Sequence, residues 1–288
     1  MRKIKYLVLT LLLIVFSIPT TAFAATNKDT NFNDETLQLM ERFPQFKESV
    51  DKYTTKKLLS SEEKYVKFTL KENANPKDTY KNSEEISRDY DIQEYTKEEL
   101  INEMSRTRLY VGSAEGQQCS WLRLKLEVYE ANDSAVSDAY KQGRPLHYMA
   151  YAFASWLTVP FFTFSDGEAL AISTSDGLII SGNSDTRHAN YSFGIGKQDY
   201  FKDLSVSVEN QRGAMAKFSL CGGSTQFNDA MISTGIAYNG STNSGWITAH
   251  YVHKEVSFGS IGMDLTGVPN VSVQANCDST SQSVYVER

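Results

Sequence analysis

The run Leu122-Arg123-Leu124-Lys125-Leu126-Glu127-Val128 makes every second side chain apolar and every other one charged. Strand side chains alternate between faces at period two, so this pattern predicts a half-buried strand with one face on a core and the other in water. The same grammar continues downstream. Ala169 to Thr174 and Leu178 to Ser181 flank Ser175-Asp176-Gly177, which predicts a hairpin turn because glycine tolerates positive φ. Leu204, Val206 and Val208 form a further alternating run, and after Asn210-Gln211-Arg212-Gly213 the chain returns through Ala214, Ala216, Phe218 and Leu220. Met231 to Tyr238 and Trp246 to His253 bracket the segment Asn239-Gly240-Ser241-Thr242-Asn243-Ser244-Gly245, whose residues suit a long hairpin tip. Val271 and Val273, then Val284 and Val286, supply two short final strands. Regular turns without helical periods predict an antiparallel β-sandwich or barrel-like domain over residues 119–288, long enough for one core.

Upstream, the chemistry changes. Residues 27–118 hold 34 charged side chains in 92 positions and two glycines, whereas residues 119–288 hold 27 in 170 and fifteen glycines. That shift predicts a charged, partly helical region over 25–118, with a boundary within 105–118 marked by Gly112 and Gly116. Leu37, Met40 and Phe43 recur at helical spacing after Asn33, Pro44 interrupts, and Phe46, Val50, Tyr53 and Leu58 roughly continue the stripe. Thr96-Lys97-Glu98-Glu99 is a capping box, leading into the apolar face of Leu100, Ile101 and Met104. Residues 71–95 are polar and weakly periodic, as a solvated linker is. This region packs on the β domain, forms an arm, or serves as a pro-segment.

Residues 1–24 have the three parts of a secretory signal peptide. Arg2, Lys3 and Lys5 give a positive start, Tyr6 to Ile18 an apolar segment too short to span a bilayer, and Ala22-Phe23-Ala24 a small-residue cleavage site. The expected product is secreted. Cleavage after Ala24 would lower the formal charge from −6 to −9, with 26 Lys and Arg against 35 Asp and Glu. Without a basic run, such a chain is a poor partner for nucleic acid or for an anionic membrane. Cys119, Cys221 and Cys277 allow three disulfide pairings outside the cell, and their wide spacing excludes a C-x-x-C metal or redox motif.

Leu146 to Phe164 contains no Lys, Arg, Asp or Glu and seven aromatic Tyr, Phe and Trp side chains. Met149, Tyr151 and Phe153 alternate with Ala150, Ala152 and Ala154. This pattern fits buried strands packed on both faces better than membrane contact, because a membrane barrel strand alternates apolar with polar.

Motifs for chemistry are sparse. Gly182-Asn183-Ser184-Asp185-Thr186 lacks the second glycine of a nucleophile elbow. His250 and His253, three apart on a strand, face opposite ways, so no metal site is expected there and no cofactor is implied. The acids Glu127, Glu168, Asp185 and Asp264 would need a cleft to pair as in a glycosidase. The candidate ligand-binding residues are Trp246, Asn239 and Asn243 around one loop, and Asp185 with His188 in another. An exposed aromatic beside Asn and Asp is chemistry suited to sugars.

Trp156-Leu157-Thr158-Val159-Pro160, followed by Asp166, resembles a pattern in uncharacterised secreted proteins of Gram-positive bacteria. The resemblance implies the compartment and no activity. The expected function is therefore a secreted, non-enzymatic binding or envelope-associated protein, with a cell-envelope component or carbohydrate as partner. The alternatives are a membrane-active protein using residues 146–164 and an extracellular hydrolase with unrecognised acids.

Overall fold

The computed structural model describes residues 32–70, 90–107, 119–132, 145–157, 167–195, 197–220, 225–240, 244–254, 263–264, 272–273 and 278–287. The chain divides into two compact units, Met1–Asp34 and Glu35–Arg288, and all that follows concerns the second. The predicted signal peptide, the linker at 71–89, residues 158–166 and the side chains of all three cysteines lie outside the described residues.

The decisive run lies in β3 (Cys119–Ala131). It pairs antiparallel with β1 (Thr54–Leu70) on one side and β4 (Tyr148–Trp156) on the other. The first sheet continues through β11 (Thr225–Tyr238) and β7 (His188–Ile195) to β8 (Gln198–Leu204). Its other edge is β2 (Tyr90–Tyr95), and the short β6 (Leu178–Ile180) pairs with the end of β11. The second sheet has the order β15 (Asp278–Glu287), β12 (Ser244–Lys254), β5 (Gly167–Thr174), β10 (Gly213–Phe218) and β9 (Val206–Glu209). A two-residue pair, β13 (Met263–Asp264) with β14 (Ser272–Val273), stands apart. Together the two main sheets make the β-sandwich that the turn pattern predicted.

Between the sheets, Leu122, Leu124, Leu126 and Val128 meet Leu170, Ile172, Ile247, Ala249 and Tyr251 in one core. Ala150, Ala152 and Ala154 of β4 point into the same core, where small side chains let the two sheets approach. All nine residues of β4 are buried, and the strand is central, so Tyr148–Trp156 offers nothing to a bilayer in this state. Among the described residues, no helix is long and apolar enough to cross a membrane.

The charged side of β3 is where the structure departs from the expected wet face. Lys125 is 2% exposed and Glu127 is fully buried. The cover is the N-terminal helices, α1 (Asp34–Arg42) and α2 (Pro44–Tyr53), with Pro44 starting α2 where a missing N–H costs nothing. Phe46 sets its ring edge-on to Tyr151 at 4.8 Å and Phe153 at 5.0 Å, and the Ser49 hydroxyl meets that of Tyr151 at 2.9 Å. The large face of β4 therefore packs on α2. The ionic residues are matched in kind. Lys125 Nζ lies 2.9 Å from Glu127 and 3.4 Å from Glu35, Arg123 pairs with Glu35, and Arg42 pairs with buried Asp229 of β11. Thr36 and Tyr129 donate hydroxyl bonds to Glu127 at 3.0 and 2.8 Å. Burial pushes the Glu35 carboxyl up, but Arg123 and Lys125 outweigh it and hold the group below its ordinary range. For Asp229 burial wins over Arg42, and its carboxyl is raised.

Other expectations are corrected as well. The helical stripe stops at Tyr53, and Leu58 belongs to β1, so residues 54–70 and 90–95 are strands inside the region expected to be helix and linker. Thr54 ends α2 in an extended conformation with its hydroxyl on the Val50 carbonyl at 2.7 Å. The capping box forms as predicted. The Thr96 amide donates to Glu99 at 2.7 Å and the Glu99 amide to the Thr96 hydroxyl at 3.3 Å, opening α3 (Lys97–Thr107). Leu100 of that helix packs with Tyr65, Tyr95 and Trp121.

Two connections expected as hairpin turns, and one run expected as a single strand, instead switch sheets. The Ser175–Gly177 turn leads from β5 in the second sheet to β6 in the first. Leu204 and Val206 fall in different strands of different sheets, parted at Ser205. The 239–243 segment joins β11 to β12 across the sandwich, and Ser244 and Gly245 already belong to β12. By contrast, β9 and β10 do form a hairpin. Asn210 and Gln211 sit at φ 48° and 55°, both left-handed, as its tight turn requires.

Removing one member of the buried ionic cluster strands the others. Lys125→Ala is expected to cost about 3–5 kcal/mol in urea unfolding because buried Glu127 loses its cationic partner. The double variant Lys125→Met, Glu127→Leu is expected to lose less than the single one, and a larger loss in the double would refute this account of the helix–sheet contact.

Candidate ligand-binding site

The Ser175–Gly177 turn, the start of the β11–β12 connection and the β9–β10 turn meet at one end of the second sheet, and hydrogen bonds lock them together. The Ser175 amide donates to the Trp246 carbonyl at 3.0 Å, while the Trp246 amide donates to the Ser175 hydroxyl at 2.8 Å. This close approach requires glycine at 245. A Cβ there would lie 2.8 Å from the Ser175 hydroxyl and 2.9 Å from Leu178 Cγ. The Asn239 amide donates to the Gly177 carbonyl at 3.0 Å, and its side-chain Nδ2 to the Asp176 carbonyl at 3.3 Å. From the β9–β10 turn, Arg212 Nη1 donates to the carbonyls of Ser175 and Leu178 at 2.7 and 2.9 Å, and its Nη2 lies 3.2 Å from Asp176.

Two large aromatic rings stand beside this locked corner. Trp246 of β12 is 44% exposed and Tyr285 of β15 is 50% exposed. They are direct cross-strand partners, with centroids 5.2 Å apart and planes at 61°. Their strand neighbours Ile247, Val284 and Val286 point into the core, which fixes both rings on the outer face. Asp176, with its side chain 88% exposed, adds a carboxylate to the same corner. The exposed aromatic pair thus sits on a strand whose backbone is bonded to a turn carrying a carboxylate, a guanidinium and an amide. Such a mixture binds molecules that present both C–H faces and hydroxyl groups.

Of the residues singled out in the sequence, Trp246 and Asn239 share this corner, while Asn243 lies outside the described residues. Asp185 and His188 are elsewhere. They occupy a short 3-10 turn, Ser184–Thr186, and its exit, where Asn183 Oδ1 caps the Asp185 amide at 3.0 Å. His188 Nε2 binds the Asp185 backbone carbonyl at 2.9 Å, not its carboxylate. The His188 amide donates to Ser233, six residues along β11 from Asn239, or about 20 Å at strand rise. Sequence reasoning missed Tyr285, Asp176 and Arg212 as members of the corner. Only the pairing register brings Tyr285 opposite Trp246.

The acids weighed for hydrolysis fare differently. Glu127 is sealed under the helices, and Glu168 is fully buried with bonds to the Tyr251 hydroxyl and, at 2.6 Å, to His253 Nδ1. Neither reaches solvent in this conformation. Asp185 is exposed, and the side chain of Asp264 lies outside the described residues. Among the described residues, no three His, Cys, Asp or Glu side chains converge as metal ligands.

No protein-family model matches the sequence, and no curated protein matches it. By structure, the chain is similar to the collagen-binding subdomain of the Enterococcus faecalis surface protein ACE, at TM-score 0.29 and 7% identity over 49% of this chain and 88% of that one. It is similar to the collagen-binding domain of a Staphylococcus aureus adhesin at TM-score 0.27 and 11% identity, over 46% and 86% of the two chains. Similarity to the membrane-inserted form of the Clostridium perfringens NetB toxin is 0.22 with 9% identity, over 61% and 93%. Scores at this level carry no inference about ligand or activity.

His250 and His253 do face opposite ways. His253 joins Glu168 in the interior, and His250 lies on the other face of β12, 3% exposed, with its Nε2 at 2.7 Å from the Ser173 hydroxyl. Burial pushes the His250 imidazole down to about 3. The unfolded chain therefore takes up a proton near pH 6.5 that the folded chain refuses. Stability from this group is complete above that value and falls as the pH drops from 6.5 toward 3, by roughly 1 kcal/mol per pH unit. Urea midpoints measured at pH 7, 6 and 5 are expected to fall less steeply in His250→Asn than in the parent, and equal slopes would refute the assignment.

Proposed function

We propose that the chain is an exported protein that works by binding, and that it recognises carbohydrate of a cell surface at the Trp246–Tyr285 corner. The observation that carries this reading is the exposed aromatic pair on a strand bonded, at Trp246, to the turn that Asp176, Arg212 and Asn239 share. A sugar ring presents a patch of C–H groups on one face and hydroxyls at its rim. The C–H patch stacks on the indole, and the rim hydroxyls donate to the Asp176 carboxylate or accept from Arg212 and Asn239. The corner is held before any ligand arrives, because Arg212 and Asn239 are tied to the backbone of the 175–178 turn and that turn is tied to Trp246. Preorganisation of that kind lowers the entropic cost of binding.

Export is supported by the charged start, the short apolar segment and Ala22-Phe23-Ala24. The helical region stays with the product in this reading, since Phe46 and Val50 are fully buried against the sheet. Intact mass of the protein recovered from culture medium is expected to correspond to a chain starting at Ala25, and a start near residue 110 would overturn this.

For binding, the mature chain is titrated with soluble fragments of cell-wall polysaccharide while tryptophan fluorescence is followed. Trp246→Ala is expected to weaken binding at least about tenfold, near 1.4 kcal/mol, with an unchanged melting temperature because the ring is exposed. Unaltered affinity in Trp246→Ala would remove the site, and absence of binding by the parent would remove the ligand class.

A further inference from the structure

Asn239 and Gly240 form the one Asn-Gly pair in the sequence, and they stand where β11 leaves the first sheet for the corner. An asparagine side chain carries an electrophilic carbon, Cγ. The backbone nitrogen of the next residue reaches that carbon by closing a five-membered ring. A side chain on the next residue screens this nitrogen, and glycine does not. Gly240 is exposed, has φ 86°, and a Cβ built on it would meet nothing within 4 Å. Its amide makes no hydrogen bond to another described residue. The nucleophile is therefore open to attack chemistry, while the electrophile is held in place. The Asn239 amide donates to the Gly177 carbonyl at 3.0 Å, and its Nδ2, the leaving group, holds the Asp176 carbonyl by a long bond of 3.3 Å. Asn183, Asn190 and Asn228 differ on both counts. All three are buried, and Ser, Tyr and Asp follow them.

We propose that Asn239 is a site of spontaneous deamidation, which rewrites the corner as the protein ages. The Gly240 nitrogen gives its proton to solvent base and bonds to Asn239 Cγ. The Cγ–Nδ2 bond breaks, and ammonia leaves with a proton from water. A water molecule then opens the ring in one of two ways. Cleavage of the new N–Cγ bond leaves an aspartyl residue at 239. Cleavage at the backbone carbonyl leaves an isoaspartyl link, with the main chain running through the side-chain carbons. The balance is one water consumed and one ammonia released, so no oxidant, metal or enzyme is needed.

Both products lose the Nδ2 donor that the Asp176 carbonyl accepts and put a carboxylate in its place. The same turn already carries the Asp176 carboxylate, with Arg212 as the cation 3.2 Å away. The β11–β12 connection is thereby loosened from the turn to which Trp246 is bonded, with the Asn239 backbone amide as its remaining tie. The consequence for ligand rests on the carbohydrate reading. Residue 239 changes from a donor to a charged acceptor, and sugar binding weakens with the age of the protein.

The modification is tested without ligand. The mature chain is incubated at 37 °C and digested, and its peptides are mapped by mass spectrometry. The peptide containing residue 239 is expected to gain the mass of –OH for –NH2 and to split into two isomers. The change should be faster at pH 8.5 than at pH 6, because the Gly240 amide must lose its proton. Asn183, Asn190 and Asn228 should keep their amides, and Asn239→Gln should give no product in the same period, because its ring is larger. A folded chain unchanged at 239 while a synthetic peptide of residues 235–243 deamidates would overturn the site. For the loosening, Asn239→Asp is expected to lower the melting temperature by about 2–4 °C, the loss of one hydrogen bond, and an equal melting temperature would overturn it. With cell-wall polysaccharide fragments, Asn239→Asp is expected to bind about fivefold more weakly than the parent. Equal affinity there would overturn the effect on binding. A parent that binds no fragment would remove the carbohydrate reading and its consequence, while the mass gain and the melting shift would still establish the modification.

Discussion

The first sheet must be sealed on both faces, and most of the molecule answers to that requirement. One face is closed by the second sheet. The other carries Lys125, Glu127, Tyr151, Phe153 and Asp229, a mixture that neither water nor a plain apolar cover would satisfy. Helices α1 and α2 supply the matching set. Phe43, Phe46 and Val50 meet the aromatic rows, while Glu35, Thr36 and Arg42 meet the charged ones. Burying a side chain the size of Phe46 contributes about 2–3 kcal/mol. The ionic contacts add little net stability, but they fix the position of the helices, since a shift of one turn would leave a charge buried without a counterpart.

That requirement also explains why β1 follows α2 directly. Tyr53 ends the helix on the sheet, and the Thr54 hydroxyl terminates it. From there, β1 runs out alongside β3, from Thr54 opposite Ala131 to Thr69 opposite Cys119. The N-terminal region therefore donates a strand as well as a cover. A sheet that loses β1 would expose the edge of β3, whose interior residues are among the most deeply buried in the molecule.

The sandwich was legible in the sequence because period-two runs and turn residues are local signals. Leu122 to Val128 announces a strand, and Thr96 to Glu99 announces a helix start, without reference to anything distant. Two things were not local. Lys125 and Glu127 look like solvent residues in any window, and only the arrival of Glu35 and Thr36, about ninety positions upstream, makes them interior. Likewise, Ser175-Asp176-Gly177 specifies a change of direction but not whether the next strand stays in its sheet. The binding corner shares that second limit. Trp246 and Asn239 could be named because they flank one loop, whereas Tyr285 and Arg212 enter through cross-strand register and through a turn far away in sequence.

The two outer faces of the sandwich thus have separate duties. The outer face of the first sheet is committed to α1 and α2, and its chemistry is consumed in holding them. The outer face of the second sheet leaves its aromatic pair in solvent at the end where two of the sheet-switching connections meet. Those connections are costly to form, because each carries the chain across the sandwich, and Gly245 is constrained by close approach on that account. In return, they bring Asn239 and the Ser175–Gly177 turn to the end of β12 where Trp246 stands, and Arg212 joins them from the β9–β10 turn. A corner built this way can change its ligand preference by substitution at Asp176, Asn239 or Tyr285. The helix–sheet contact that holds the fold would not be disturbed, because none of these three residues takes part in it.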